Sequence, residues 1–182
     1  MRKIILSLVL ILLFTFLSFN LAFAQEKLSI KEATMSSRVQ ETNKSVEYEL
    51  PYPGILPDNP LYFLKVARDR IVGLLISDPL KKAEFDLLQA DKRLNTGVYL
   101  FKKDKNKQAL AFSTISKGEN YFEEAIAKVK EAKQQKMETN DVLRRLWDSS
   151  RKHEEVLKSL GFASLQKRTA DFEKQVESLR RK

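Results

Sequence analysis

Few side chains in this sequence could carry chemistry. His153 is the single histidine, and cysteine is absent, so thiolate nucleophiles, disulfides and cysteine metal sites are excluded. The residue three before His153 is Ser150, so neither the Glu-x-x-His spacing of a bundle metal site nor a His-Glu-x-x-His zinc motif surrounds it. Its place on an apolar helical stripe predicts a structural or boundary histidine. Glu119, Glu123 and Glu124, with Asp86 or Asp91 on a facing helix, are the carboxylates that could gather a hard cation. No glycine-containing calcium loop accompanies them, and solvated charge is the expectation, except for Glu119, expected to be half-buried beside a lysine or arginine. Ser149 and Ser150, near Arg144, Arg145 and Lys152, imitate a Ser-Lys pair at a spacing that any charged helix produces. Five glycines scattered between Gly54 and Gly161 form neither a phosphate-cradling loop nor a Gly-x-Ser-x-Gly elbow. The expectation is a protein with no catalytic residue, no cofactor and no metal.

The elements that would position these residues are helices. Asn59-Pro60 and Asp78-Pro79 each set a capping acceptor before a proline, the pairing of an N-cap with Pro at the first helical position. A first helix over about 60–76 carries Leu61, Leu64, Arg68, Ile71 and Leu75 on one stripe. A second, about 79–103, repeats Leu80, Ala83, Leu87, Ala90, Leu94, Gly97 and Phe101 at steps of three and four, a heptad-like, coiled-coil seam whose small residues let a neighbour approach closely. A third, about 107–137, aligns Ala111, Phe112, Ile115, Phe122, Ile126 and Val129. Thr139-Asn140-Asp141 caps a fourth over about 141–160, which Gly161 ends in a Schellman stop with Phe162 packing back on Leu157. A last helix, about 164–180, presents Leu165, Thr169, Phe172, Val176 and Leu179. No alternating β-branched run follows residue 24, so the fold class is all-α: an antiparallel bundle of about five helices around one apolar core.

The N-terminus has another character. Arg2 and Lys3 precede an apolar run from Ile4 to Phe19, and Ala22-Phe23-Ala24 forms a small-residue cleavage box, the three parts of a secretory signal with cleavage after Ala24. The alternative is retention of residues 4–24 as an anchor in the cytoplasmic membrane. Residues 25–50, rich in Glu, Lys, Ser, Thr and Asn, are expected to be a flexible linker, and the folded part to begin at the Pro51-Tyr52-Pro53 punctuation. The domain plan is then 1–24 signal, 25–50 linker, 51–138 helical core and 139–182 C-terminal helices.

Pro53-Gly54-Ile55-Leu56-Pro57-Asp58-Asn59-Pro60-Leu61-Tyr62, then Ser77-Asp78-Pro79-Leu80-Lys81-Lys82-Ala83-Glu84 and Ala90-Asp91-Lys92-Arg93-Leu94, resembles domain-of-unknown-function family 5667 over about residues 52–127. The resemblance implies an exported or membrane-tethered bacterial helical domain and transfers no catalytic residue.

Binding surfaces are the remaining source of function. The sequence holds 33 Lys and Arg against 24 Asp and Glu, a formal charge of +9. Lys102, Lys103, Lys105 and Lys107 form its densest cationic cluster, beside Tyr99 and Phe101, and Lys128, Lys130, Lys133 and Lys136 form a second. Such clusters suit extracytoplasmic polyanions, wall polymer or acidic lipid, and export removes any specific nucleic acid as partner. The leading expectation is a non-enzymatic interaction or scaffold module of the cell envelope that meets an unknown envelope protein. Its partner face is Leu165, Phe172, Val176 and Leu179 on the last helix, with core packing as the alternative. Membrane contact is expected only through an uncleaved N-terminal segment.

Overall fold

The structure, a computed structural model, describes residues 46–181. The expected signal segment and most of the expected linker lie outside the described residues. Five helices follow: α1 Tyr62–Leu75, α2 Pro79–Lys103, α3 Gln108–Gln134, α4 Asn140–Leu160 and α5 Ala163–Arg180, with a short 3-10 turn Lys105–Lys107 between α2 and α3. The fold is all-α. Within it α2 packs on α3, α3 on α5, α5 on α4 and α4 back on α2, a closed ring of four helices, while α1 touches only α2.

The capping chemistry explains most boundaries. Asp78 Oδ1 accepts from the backbone N–H groups of Leu80 and Lys81, both at 2.9 Å, and starts α2 at Pro79. Asn59 Oδ1 instead accepts from Leu61 N–H at 2.8 Å, which closes a turn over Pro60 and delays α1 to Tyr62. Gly161, at φ 75°, ends α4 with its N–H on Lys158 O and that of Phe162 on Leu157 O, the expected Schellman pair. The α2 seam packs as its small residues require. A Cβ at Gly97 would stand 2.2 Å from Ile115 Cγ1, and one at Gly118 would stand 3.1 Å from Ala90 O, so two glycines set the close approach of α2 and α3.

Two apolar clusters fill the ring. One joins Ala83, Leu87, Phe122, Ile126, Leu143, Leu146, Phe172 and Val176, and the other joins Leu94, Ile115, Leu157 and Leu165. Phe122 and Phe172 stack with centroids 5.3 Å apart. Two sequence expectations fail here. Residues 46–50, placed in the flexible linker, are part of the fold: Leu50 packs on the second cluster, Val46 N–H donates to Glu155 at 2.9 Å, and Asn95 Nδ2 donates to Pro51 O just beyond. The stripe Leu61, Leu64, Ile71 and Leu75, read as core-facing, is exposed, because Tyr62, Lys65, Asp69, Gly73 and Ile76 form the inward side of α1 instead.

Candidate functional site

A layer of charge separates the two apolar clusters. All four ring helices contribute to it: Asp91 from α2, Glu119 from α3, Ser149 and His153 from α4 and Thr169 from α5, all buried. His153 Nε2 lies 3.0 Å from Asp91 Oδ1, and Nδ1 lies 2.9 Å from Glu119 Oε1. Both ring nitrogens thus face carboxylate acceptors, a geometry that only the doubly protonated imidazolium satisfies when both carboxylates are ionised. Burial alone would push the imidazole down, but the hydrogen bonds and charges of Asp91 and Glu119 override it and raise His153 from 6.5 to about 9.

Hydroxyls saturate the remaining oxygens. Ser149 Oγ donates to Asp91 Oδ1 at 2.5 Å, Tyr48 OH donates to Asp91 Oδ2 at 2.6 Å, and Thr169 Oγ1 donates to Glu119 Oε2 at 2.9 Å. Burial and the Asp91 charge raise the Tyr48 phenol and keep it a neutral donor. Two carboxylates, one imidazolium and three hydroxyls close a network among four helices and the N-terminal strap. Slipping α2, α3 or α4 by a turn would leave a buried charge unpaired, and slipping α5 would strip a hydrogen bond from Glu119, so the layer opposes misregister. His153, Glu119 and Ser149 have no solvent exposure.

The other sequence candidates are dispersed. Glu119 is fully buried and paired with His153 and Thr169, where a half-buried position beside lysine or arginine was expected. Asp91 and Glu119 bond opposite nitrogens of one ring, Asp86 pairs with Lys82 at 2.8 Å, and Glu123 pairs with Arg168 at 2.6 Å, so the carboxylates do not converge on a cation. Among the described residues no group of three or more His, Cys, Asp or Glu is placed to hold a metal. On the helix surfaces Glu177 pairs with Arg181, and Lys128 and Lys152 pair with Glu131 and Glu155 three residues on.

The polyanion cluster is half consumed. Lys103 and Lys107 both donate to Asp58 Oδ2, at 2.9 and 2.6 Å, and their ammoniums hold the Asp58 carboxyl below its usual range. These two lysines pin the α2–α3 connection to the entry loop, which leaves Lys102 and Lys105 exposed in the turn region. Lys130 donates to Gln175, and Lys133 donates to Leu179 O near the end of α5. The partner face fails outright: Leu165, Phe172 and Val176 are buried and Leu179 packs against the first cluster. The apolar period of α5 serves the core.

The exposed apolar surface belongs to α1. Leu74 and Leu75 are 80% and 76% exposed, Phe63 64% and Ile71 59%. Phe63, Ala67, Ile71 and Leu74 recur at three- and four-residue steps on the side away from the bundle. A groove of about 720 Å³ runs along this side between Pro57, Pro60, Phe63, Val66, Ile71 and Leu74. Tyr62 holds the other side by accepting a hydrogen bond from Arg93 at 3.1 Å.

The proline-capped entry before α1 and the Asp78-Pro79 start of α2 lie within a longer match: residues 54–180 fit the family described as Domain of unknown function (DUF5667). The chain belongs to this family. No curated protein and no solved structure matches it. The DUF5667 match runs through α4 and α5, so the C-terminal helices are part of the family's domain, where the sequence resemblance ended near residue 127. Three of the five helix residues of the charged layer follow from one signal that the sequence did carry: Glu119, His153 and Thr169 each interrupt an apolar stripe. Tyr48 had no such signal, since it precedes the DUF5667 match and sits in a polar stretch.

Proposed function

We propose that this DUF5667 chain is a non-enzymatic interaction module of the cell envelope and that α1 is its working face. The observation that carries the reading is the orientation of α1, which directs apolar residues outward and Lys65, Asp69 and Gly73 inward. A monomeric soluble domain rarely leaves a contiguous apolar helix face in water, and such faces mark interaction sites. The burial of the His153 layer supports the absence of catalysis, because its titratable groups are closed to substrate. The envelope location rests on Arg2, Lys3, the apolar run Ile4–Phe19 and Ala22-Phe23-Ala24. Polyanion binding through Lys102, Lys103, Lys105 and Lys107 is the weaker reading, since Asp58 already neutralises two of the four.

A photoreactive residue at Phe63, Ile71 or Leu74, expressed in the chain's own cells, tests the working face. Adducts at these positions and none at exposed Lys117 on α3 are expected. Adducts at Lys117 with none on α1 would refute it.

A further inference from the structure

We infer that the occupant of the α1 face is the surface of an anionic lipid bilayer, a step that rests on α1 being the working face. The cations around the face favour lipid. Arg70 borders the apolar stripe beside Val66 and Leu74, and Arg68 borders its other edge beside Leu64 and Leu75. The one carboxylate of α1, Asp69, is buried on the inward side and paired with Arg68. The outward surface of the helix therefore carries apolar and cationic groups and no anion. A second copy would bring cations against cations, whereas a bilayer offers acyl chains bordered by phosphates.

The Arg68 edge also has a receptacle. Lys65, Arg68 and Lys92, with Leu64, Tyr52 and Ile55, line a cleft of about 450 Å³ next to the apolar stripe. Lys65 Nζ is anchored by donating to Pro53 O at 3.2 Å, which sets its ammonium in the cleft wall. Arg68 shares its charge with Asp69, so Lys65 and Lys92 supply the net positive charge of the cleft, and with exposed Tyr52 and Ile55 beside them they suit a phosphate headgroup whose lipid neighbours contact apolar side chains. At 14 residues α1 is about 21 Å long. No helix among the described residues is long and apolar enough to cross a membrane, so the contact is a helix lying in the interface. This assigns the folded domain a membrane contact of its own, beyond the N-terminal segment to which the sequence confined it.

The absence of cysteine permits a test in the full chain. Leu74→Cys, or Lys117→Cys as a control, is labelled with an environment-sensitive dye and mixed with vesicles of phosphatidylglycerol or of phosphatidylcholine. The inference expects the dye at position 74 to shift to the blue and escape iodide quenching on phosphatidylglycerol, with little change on phosphatidylcholine and none at position 117. Arg68→Gln and Lys92→Gln should each weaken the affinity for phosphatidylglycerol vesicles, read from the shift against lipid concentration, about fivefold, the effect of removing one basic residue near an anionic surface. A dye at position 74 that stays in water on phosphatidylglycerol vesicles overturns the inference, as does one that shifts with protein concentration alone, the mark of a second copy. An unchanged affinity in both charge variants overturns the headgroup cleft. Because the dye reports α1 locally, membrane binding by residues 4–19 cannot mimic the result. If photoadducts form on α1 while the dye stays in water, the working face stands and the lipid does not. If neither occurs, both fall.

Discussion

The charged layer and α1 invert the usual distribution of polarity in opposite directions. In the bundle, Asp91, Glu119 and His153 occupy core positions that apolar residues could fill, and each charge meets a partner within 3.0 Å. On α1, Phe63, Ile71 and Leu74 stand in water while Asp69 and Gly73 face inward. The polarity of the charged layer is answered within the chain and so concerns stability and register. The exterior apolarity has no answer among the described residues, and the proposed working face rests on it. A residue out of place by polarity is informative once one asks whether its own fold satisfies it.

The comparison breaks if the two regions respond alike to substitution. The largest effect should come from ending the chain after Leu160. That change strips Leu165, Phe172 and Val176 from the core and Thr169 from Glu119, and lost core side chains cost roughly 2–5 kcal/mol each against a total stability of about 5–15 kcal/mol. Loss of the cooperative transition in thermal circular dichroism is expected. Next, His153→Ala leaves two buried carboxylates without their cation and should lower stability in urea by roughly 3–5 kcal/mol.

A pH series isolates the charge itself. Folding raises His153 from 6.5 to about 9, so its contribution is fully present below pH 6.5 and is lost as pH rises through about 9. The wild-type chain should lose about 3 kcal/mol across that window, and a His153→Gln chain should show no such slope in the same urea titrations. At the small end, Leu74→Ser should shift stability by no more than about 0.5 kcal/mol, since an exposed side chain has little burial to lose. A larger loss in calorimetry would mean that α1 is packed rather than presented.

Periodicity made the helices legible, because steps of three and four, proline caps and the Gly161 stop are local chemistry. Ala83, Leu87, Ala90 and Leu94 all reach the core as their spacing requires. The fate of an apolar stripe was not local. The stripes of α1 and α5 are alike in sequence, yet α5 closes the ring and α1 lies outside it, and only the packing of α2, α3 and α4 decides which one finds a place. The same holds for His153. Its lack of sequence-adjacent ligands argued against a metal motif, but its partners lie 62 and 34 residues away and were invisible to any spacing rule. Lys103 and Lys107 looked free because Asp58, which neutralises them, arrives from a loop more than forty residues earlier.

The strap through Tyr48 bears on the order in which the chain can fold. Tyr48 donates to an aspartate on α2 that also accepts a hydrogen bond from Ser149, and the partner imidazole needs a glutamate that Thr169 completes. The first part of the domain to emerge during synthesis therefore cannot be satisfied until nearly the last part has followed. Such non-local closure ties completion of the buried network to the arrival of the last helix.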